Sequence, residues 1–199
     1  MRSGEPLFVW YHFHMGVILD KPQMPANDVD ELLHLSDVIL AGLFERGAPI
    51  PPEEWEGVVA WVERYHPRVP LRREDIPSAF LPSSGCVHFH SPRVRALLKD
   101  YADLIQYLPI PLLDGCSRQR IAVYYAANFL IQYEHEVWLG EERNEYRLYL
   151  DRELVIYPIF LFKHPARVVV NQEVMELLLE AQVAEEWEFT PLRLSWEVR

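Results

Sequence analysis

Cysteine is nearly absent: Cys86 and Cys116 are the only two in 199 residues and form no CxxC pair. They read as reduced, small packing residues, and a disulfide between them is open only if the fold brings them together. Glycine is also scarce, eight residues scattered singly, so the chain offers no glycine-rich cradle for a nucleotide phosphate. No apolar run reaches the roughly 18 residues needed to span a bilayer; the longest, around Leu154 to Phe162, is flanked by charge. The start of the chain, Met1-Arg2-Ser3-Gly4-Glu5-Pro6, leads straight into an apolar segment without a small-residue cleavage site, so a cytoplasmic location is expected. Basic residues are outnumbered, 19 Lys and Arg against 30 Asp and Glu, for a formal net charge of -11. That balance disfavours nucleic acid and anionic lipid and favours a basic protein partner. No G-x-S-x-G elbow is present; Ser83-Ser84-Gly85 and Cys116-Ser117 sit among chain breakers and read as turns.

Hydrophobic residues make up 50% of the chain, enough for a substantial core, and the length suits a single compact domain over 1–199. Within it an internal repeat is legible. His88-Phe89-His90-Ser91 runs into Arg93-Val94-Arg95-Ala96-Leu97-Leu98 and then Ile105 to Ile110. Arg167 to Asn171 runs into Glu173-Val174-Met175-Glu176-Leu177-Leu178 and then Trp187 to Leu192. Both copies read strand, helix, strand, and both end on aromatic-x-Pro-aliphatic after a two-residue shift in the turn. Ser91-Pro92 and Asn171 supply the helix caps. The domain therefore divides into an N-terminal part, 1–74, a first repeat unit, 75–112, and a second, 113–199.

Residues 7–19 read as one strand bent at Gly16. Two helices are expected next: one from Asp28 to Arg46 ended by Gly47, and one opening at Pro51-Pro52 with Trp55, Val58, Val59 and Val62 on one face. Five breakers between Pro67 and Gly85 make a long connection. Arg120 to Tyr133 reads as strand, residues 146–150 and 154–162 as a pair of strands joined through Asp151-Arg152-Glu153, and Trp187 to Val198 as a closing strand. The fold class that follows is α+β, with mostly antiparallel sheet and the N-terminal helices packed on it.

The stretch Asp75-Ile76-Pro77-Ser78-Ala79-Phe80-Leu81-Pro82, the helix opening at Ser91, Tyr124-Tyr125-Ala126-Ala127-Asn128, Ile159-Phe160 leading to Val168-Val169-Val170-Asn171, and the Phe189-Thr190-Pro191 ending together resemble a family of bacterial immunity proteins of polymorphic-toxin systems. That family, a former domain of unknown function, is now named after a Myxococcus member. The resemblance covers roughly residues 75 to 195. It implies a non-enzymatic protein without cofactor that binds and silences a cognate toxin encoded nearby, often a nuclease. The first 74 residues lie outside it.

Two kinds of constellation compete for function. His12-x-His14 and His88-x-His90 place like side chains on one strand face, and four nitrogens could serve a zinc ion in a metal-dependent enzyme, with Glu134-His135-Glu136 as further ligands. Neither pair is followed by a carboxylate at metalloenzyme spacing, and His-x-His on a solvated strand is a common accident in a chain with eight His. The acidic clusters point instead to a binder. Between Val168 and Thr190 lie six acids and no Lys or Arg, with Glu173, Glu176 and Glu180 on one helical stripe. The segment from Glu134 to Glu145 sets Trp138 among Glu134, Glu136, Glu141, Glu142 and Glu145, an aromatic anchor ringed by charge. A structural adaptor is the third reading.

Overall fold

The computed structural model describes residues 6–10, 17–20, 40, 42–62, 80–82, 87–114, 117, 119–133, 138–139, 146–149, 157–163 and 166–195. The class is α+β. Its strands are β1 (Leu7–Trp10), β2 (Val17–Asp20), β3 (Val59–Val62), β4 (Phe80–Pro82), β5 (His88–His90), β6 (Ile105–Asp114), β7 (Arg120–Phe129), β8 (Gln132–Tyr133), β9 (Trp138–Leu139), β10 (Tyr146–Tyr149), β11 (Ile159–Lys163), β12 (Ala166–Asn171) and β13 (Phe189–Ser195). Helices span Pro52–Trp55, Pro92–Leu97 and Gln172–Glu180.

Packing cuts the chain differently from the sequence segments 1–74, 75–112 and 113–199. One compact unit is contiguous, His12–Asn128; the other is split, joining Met1–Tyr11 to Phe129–Arg199. The contiguous unit holds a sheet of order β2-β3-β6-β7-β5-β4, and the split unit one of order β8-β11-β12-β1-β13-β10-β9. Reading the first sheet backwards aligns β4 with β11, β5 with β12, β7 with β1, β6 with β13, β3 with β10 and β2 with β9. Pair directions agree along the series. β4–β5 and β11–β12 are antiparallel, as are β5–β7 and β12–β1. β3–β6 and β10–β13 are parallel, and β2–β3 and β9–β10 antiparallel. In each sheet a helix links the pair flanking the central strand, β5 to β6 and β12 to β13.

Local chemistry explains both linking helices. Ser91 Oγ accepts from the Val94 amide and Pro92 occupies the first turn, where its missing N–H costs no helical bond. Asn171 Oδ1 accepts from the Val174 amide at 2.9 Å in the same role. Val94 of the first helix and Leu98, which caps its end, and Val174 and Leu178 of the second, are buried. Burying each such side chain stabilises by about 1.5–3 kcal/mol. Beneath them β5 and β12 are closed on both faces, with His88, Phe89 and His90 buried in one and Val168, Val169 and Val170 in the other. In the split unit Leu7, Val9, Phe160, Phe162, Val169 and Leu192 form one apolar cluster.

After the helices, two alignments of the strand are available. Tyr107-x-Pro109-Ile110 against Phe189-x-Pro191-Leu192 keeps both prolines exposed and both aliphatics buried. Pro111-Leu112 against Pro191-Leu192 keeps the start of parallel pairing, Ala60 to Leu112 and Tyr146 to Leu192.

Several expectations are corrected. The second N-terminal helix ends at Trp55, because Gly57 takes φ 78 and turns the chain, and Val59–Val62 then pair with β6 as a strand. Branched valines suit that sheet position better than a helix face. Residues 7–19 do not make one strand: Leu7–Trp10 and Val17–Asp20 belong to different sheets. Phe80–Pro82, inside the expected long connection, pairs with β5. β10 and β11 overlap the expected strand regions, β11 starting only at Ile159, but are not partners; β10 lies beside β9 and β13, and β11 beside β8 and β12. The expected strand Arg120–Tyr133 is two, β7 and β8, in different sheets. Gly47, at φ 62, follows helical residues 42–44 as expected, whereas residues 28–39 lie outside the described residues. Among the described residues no helix is long and apolar enough to cross a membrane.

Candidate functional site

The helix Gln172–Glu180 brings Glu173, Glu176 and Glu180 to one exposed side while Val174 and Leu178 face inward against β12 and β1. Spacings of three and four residues put neighbouring carboxylates one turn apart, where like charges cost about 0.2–0.5 kcal/mol per pair. Gln172 Nε2 donates to Glu176 Oε1 at 2.6 Å, fixing the middle carboxylate. The acidic run beyond the helix splits in two. Glu188 is only 8% exposed, and its carboxylate accepts from the Glu185 amide in a reciprocal cap of the short turn Glu186–Glu188. Burial first, and then the neighbouring Glu185 charge, raise its pKa, against the lowering effect of that backbone bond. Glu188 thus works in the fold, a role that acid counting along the sequence misses.

The other acidic candidates fare differently. Glu134, Glu136, Glu141, Glu142 and Glu145 lie outside the described residues, as do His12, His14, Cys86 and Cys116. Trp138 lies in β9, at the end of the sheet order, with its backbone opposite Arg147 of β10. Ser117 is a turn residue: its Oγ donates to Asp114 Oδ2 at 2.6 Å and accepts from the Gln119 amide.

His88 and His90 are not on a solvated face. They are 8% and 0% exposed, and with Ala127 and Tyr125 opposite them they belong to the interior of the contiguous unit. His90 begins a line of side chains running outward. Its Nδ1 lies 3.2 Å from the Tyr107 hydroxyl, Tyr107 meets Tyr125 edge to face at 6.3 Å, and the exposed Arg95 guanidinium stacks 4.3 Å from the centre of the Tyr125 ring. Burial, then His88, pushes the His90 imidazole well below its ordinary range. Burial raises the Tyr107 phenol, opposed by Arg95. The two groups are moved away from neutrality in opposite directions, so neither changes charge near pH 7. This arrangement positions Arg95 and holds protons in place. Sequence reading passed over Tyr107, Tyr125 and Arg95; the available signal was a His one residue before a helix cap with Arg five residues on.

Among the described residues no group of three or more His, Cys, Asp or Glu is placed to hold a metal ion. No known family model and no curated protein matches the chain. The reading of function therefore rests on surface chemistry.

The linking helices differ most on that surface. At positions matched through their caps, Arg93 stands where the second helix has Glu173, Arg95 where it has Met175, Ala96 where it has Glu176 and Lys99 where it has Leu179. Asp100 stands where the second helix has Glu180, so along the stripe the sign reverses only at Arg93 against Glu173, and Glu176 is matched by the neutral Ala96.

Proposed function

We infer that this chain is a non-enzymatic binding protein that neutralises a basic bacterial toxin domain, in the manner of the immunity proteins its sequence resembles, and that it acts in the cytoplasm of the cell that makes it. The observation carrying this reading is the exposed stripe of Glu173, Glu176 and Glu180 on a helix whose inner side is locked into the sheet. The stripe lies in a segment without Lys or Arg on a chain of formal charge -11. A stripe of like charges is relieved when a basic surface meets it, and its rigid backing means little ordering cost on binding. Toxins that act on nucleic acid need a basic groove to attract polyanions, so an acidic cover competes for that groove and is steered to it at long range. The segment around Trp138, with its five acids, is the companion surface in this proposal.

Co-expression with the toxin gene encoded beside this one is the test. Rescue of a host that the toxin alone kills is expected, with inhibition in vitro complete only at one copy of this chain per toxin. Loss of toxin activity at a few hundredths of that ratio would instead mean turnover, and the binding reading would fall.

A further inference from the structure

The two sheets obtain their central strands in different ways. In the contiguous unit β7 follows β6 through a turn closed by the Asp114 amide donating to the Gln119 carbonyl, at 2.9 Å. In the split unit the matching central strand is β1, which precedes β12 and β13 in the chain by more than 150 residues. β1 lies antiparallel to β12 on one side, Leu7 opposite Asn171 through Trp10 opposite Val168. On the other side it lies antiparallel to β13, Leu7 opposite Leu192 through Trp10 opposite Phe189. Its covalent successor, β2, belongs to the other unit. Backbone pairing on two sides and side-chain packing hold it to the split unit, so it is recognised there as a bound peptide is recognised by a sheet.

The site is selective. Leu7, Val9 and Trp10 are each 1% exposed, and Trp10 stacks on Phe189 with ring centres 5.8 Å apart. Alternate side chains of a strand point to opposite faces, so the place between β12 and β13 demands bulky apolar groups on both faces in this register. The strand that meets the demand is Leu7–Trp10, and every copy of the chain carries one.

We propose that the place between β12 and β13 also accepts Leu7–Trp10 from a second copy of this chain, giving a dimer by reciprocal exchange of the N-terminal strand. Exchange replaces each β1 contact by an identical one, so the balance between monomer and dimer depends on concentration and on the connecting chain. Releasing β1 uncovers three core side chains, which makes exchange slow under native conditions and fast near the unfolding transition.

The test uses full-length chains with Cys86→Ser and Cys116→Ser. One variant adds Val9→Cys and another Val169→Cys, positions that face one another across β1 and β12. A concentrated mixture is taken to the urea midpoint, returned to native buffer and oxidised. A disulfide-linked pair of the two variants is expected, at least tenfold more abundant than in a mixture kept native. A single chain carrying both cysteines, oxidised when dilute, should close its bond internally. Internal closure together with a mixture that stays unlinked would overturn the proposal. If the double variant fails to fold, light scattering on the natural chain after the same cycle decides. A dimer that survives dilution and returns to monomer only after renewed unfolding supports exchange; monomer alone overturns it.

Discussion

The contiguous and split units place different chemistry at the same positions of one topology. Opposite the strand that enters the linking helix, the contiguous unit pairs His90 with Tyr125 and His88 with Ala127. The split unit pairs Val170 with Phe8 and Val168 with Trp10. Both solutions fill the same face: two imidazoles and a phenol ring beside an alanine in one, two valines beside Phe and Trp in the other. The polar solution needs a hydrogen bond to Tyr107 and carries Arg95 outward; the apolar one needs only packing. A repeated scaffold can thus keep its backbone pairing while core polarity and surface charge diverge independently.

The largest expected effect comes from Trp10→Ala, which removes a fully buried indole from the central strand of the split unit. A loss of about 3–5 kcal/mol is expected in urea unfolding. Hydrogen exchange should show β12 and β13 losing protection while β5 and β7 keep theirs; equal losses in both units would break the division between them.

Acid comes next. His90 has a folded pKa below its unfolded value near 6.5, so its neutral form favours folding. The contribution is present above pH 6.5 and is lost as pH falls from there toward the folded pKa. Glu188 in the split unit has the opposite sign: its pKa is raised above 4.5, so its contribution is full at lower pH and declines as pH rises through that window. Amide exchange compared at pH 7 and pH 5 should therefore weaken the contiguous unit first. His90→Val, the residue at the matched position 170, should flatten that response, and an unchanged response would assign it to another group.

Smaller effects come from the caps. Ser91→Ala and Asn171→Ala should each cost about 1 kcal/mol, within about 0.5 kcal/mol of one another, by urea titration. A clear inequality would show that the matched helices differ in what they contribute.

The caps were also among the most legible features of the sequence, because a side-chain oxygen accepting from the amide three residues on, with Pro92 after Ser91, is a local signal. Arg120 to Tyr133 was legible as extended chain from its aromatic and branched residues, but not its division after Phe129 into strands of two sheets. What stayed hidden was non-local. Nothing near residues 7–19 tells that Trp10 and Val17 go to different sheets, or that β10 and β11 take separate neighbours. Val58, Val59 and Val62 carry helical spacing, and only the turn at Gly57 and the presence of β6 alongside make them strand. In the candidate site, the stripe of Glu173, Glu176 and Glu180 was readable from period alone. The inward turn of Glu188 and the burial of His88 and His90 were not, since each depends on what another segment lays over it.

The contrast between the two linking helices supplies the most direct measurement. On the proposed function, association of this chain with a toxin domain encoded beside it can be followed at two ionic strengths for the variant E173Q/E176Q/E180Q and for R93Q/K99Q, which removes the bases of the other linking segment. The acidic set should slow association about tenfold at low salt and flatten its salt dependence, while the basic set leaves association unchanged or faster. Equal changes in the two variants, or none in either with both folds intact, would contradict a toxin-binding role for the acidic helix.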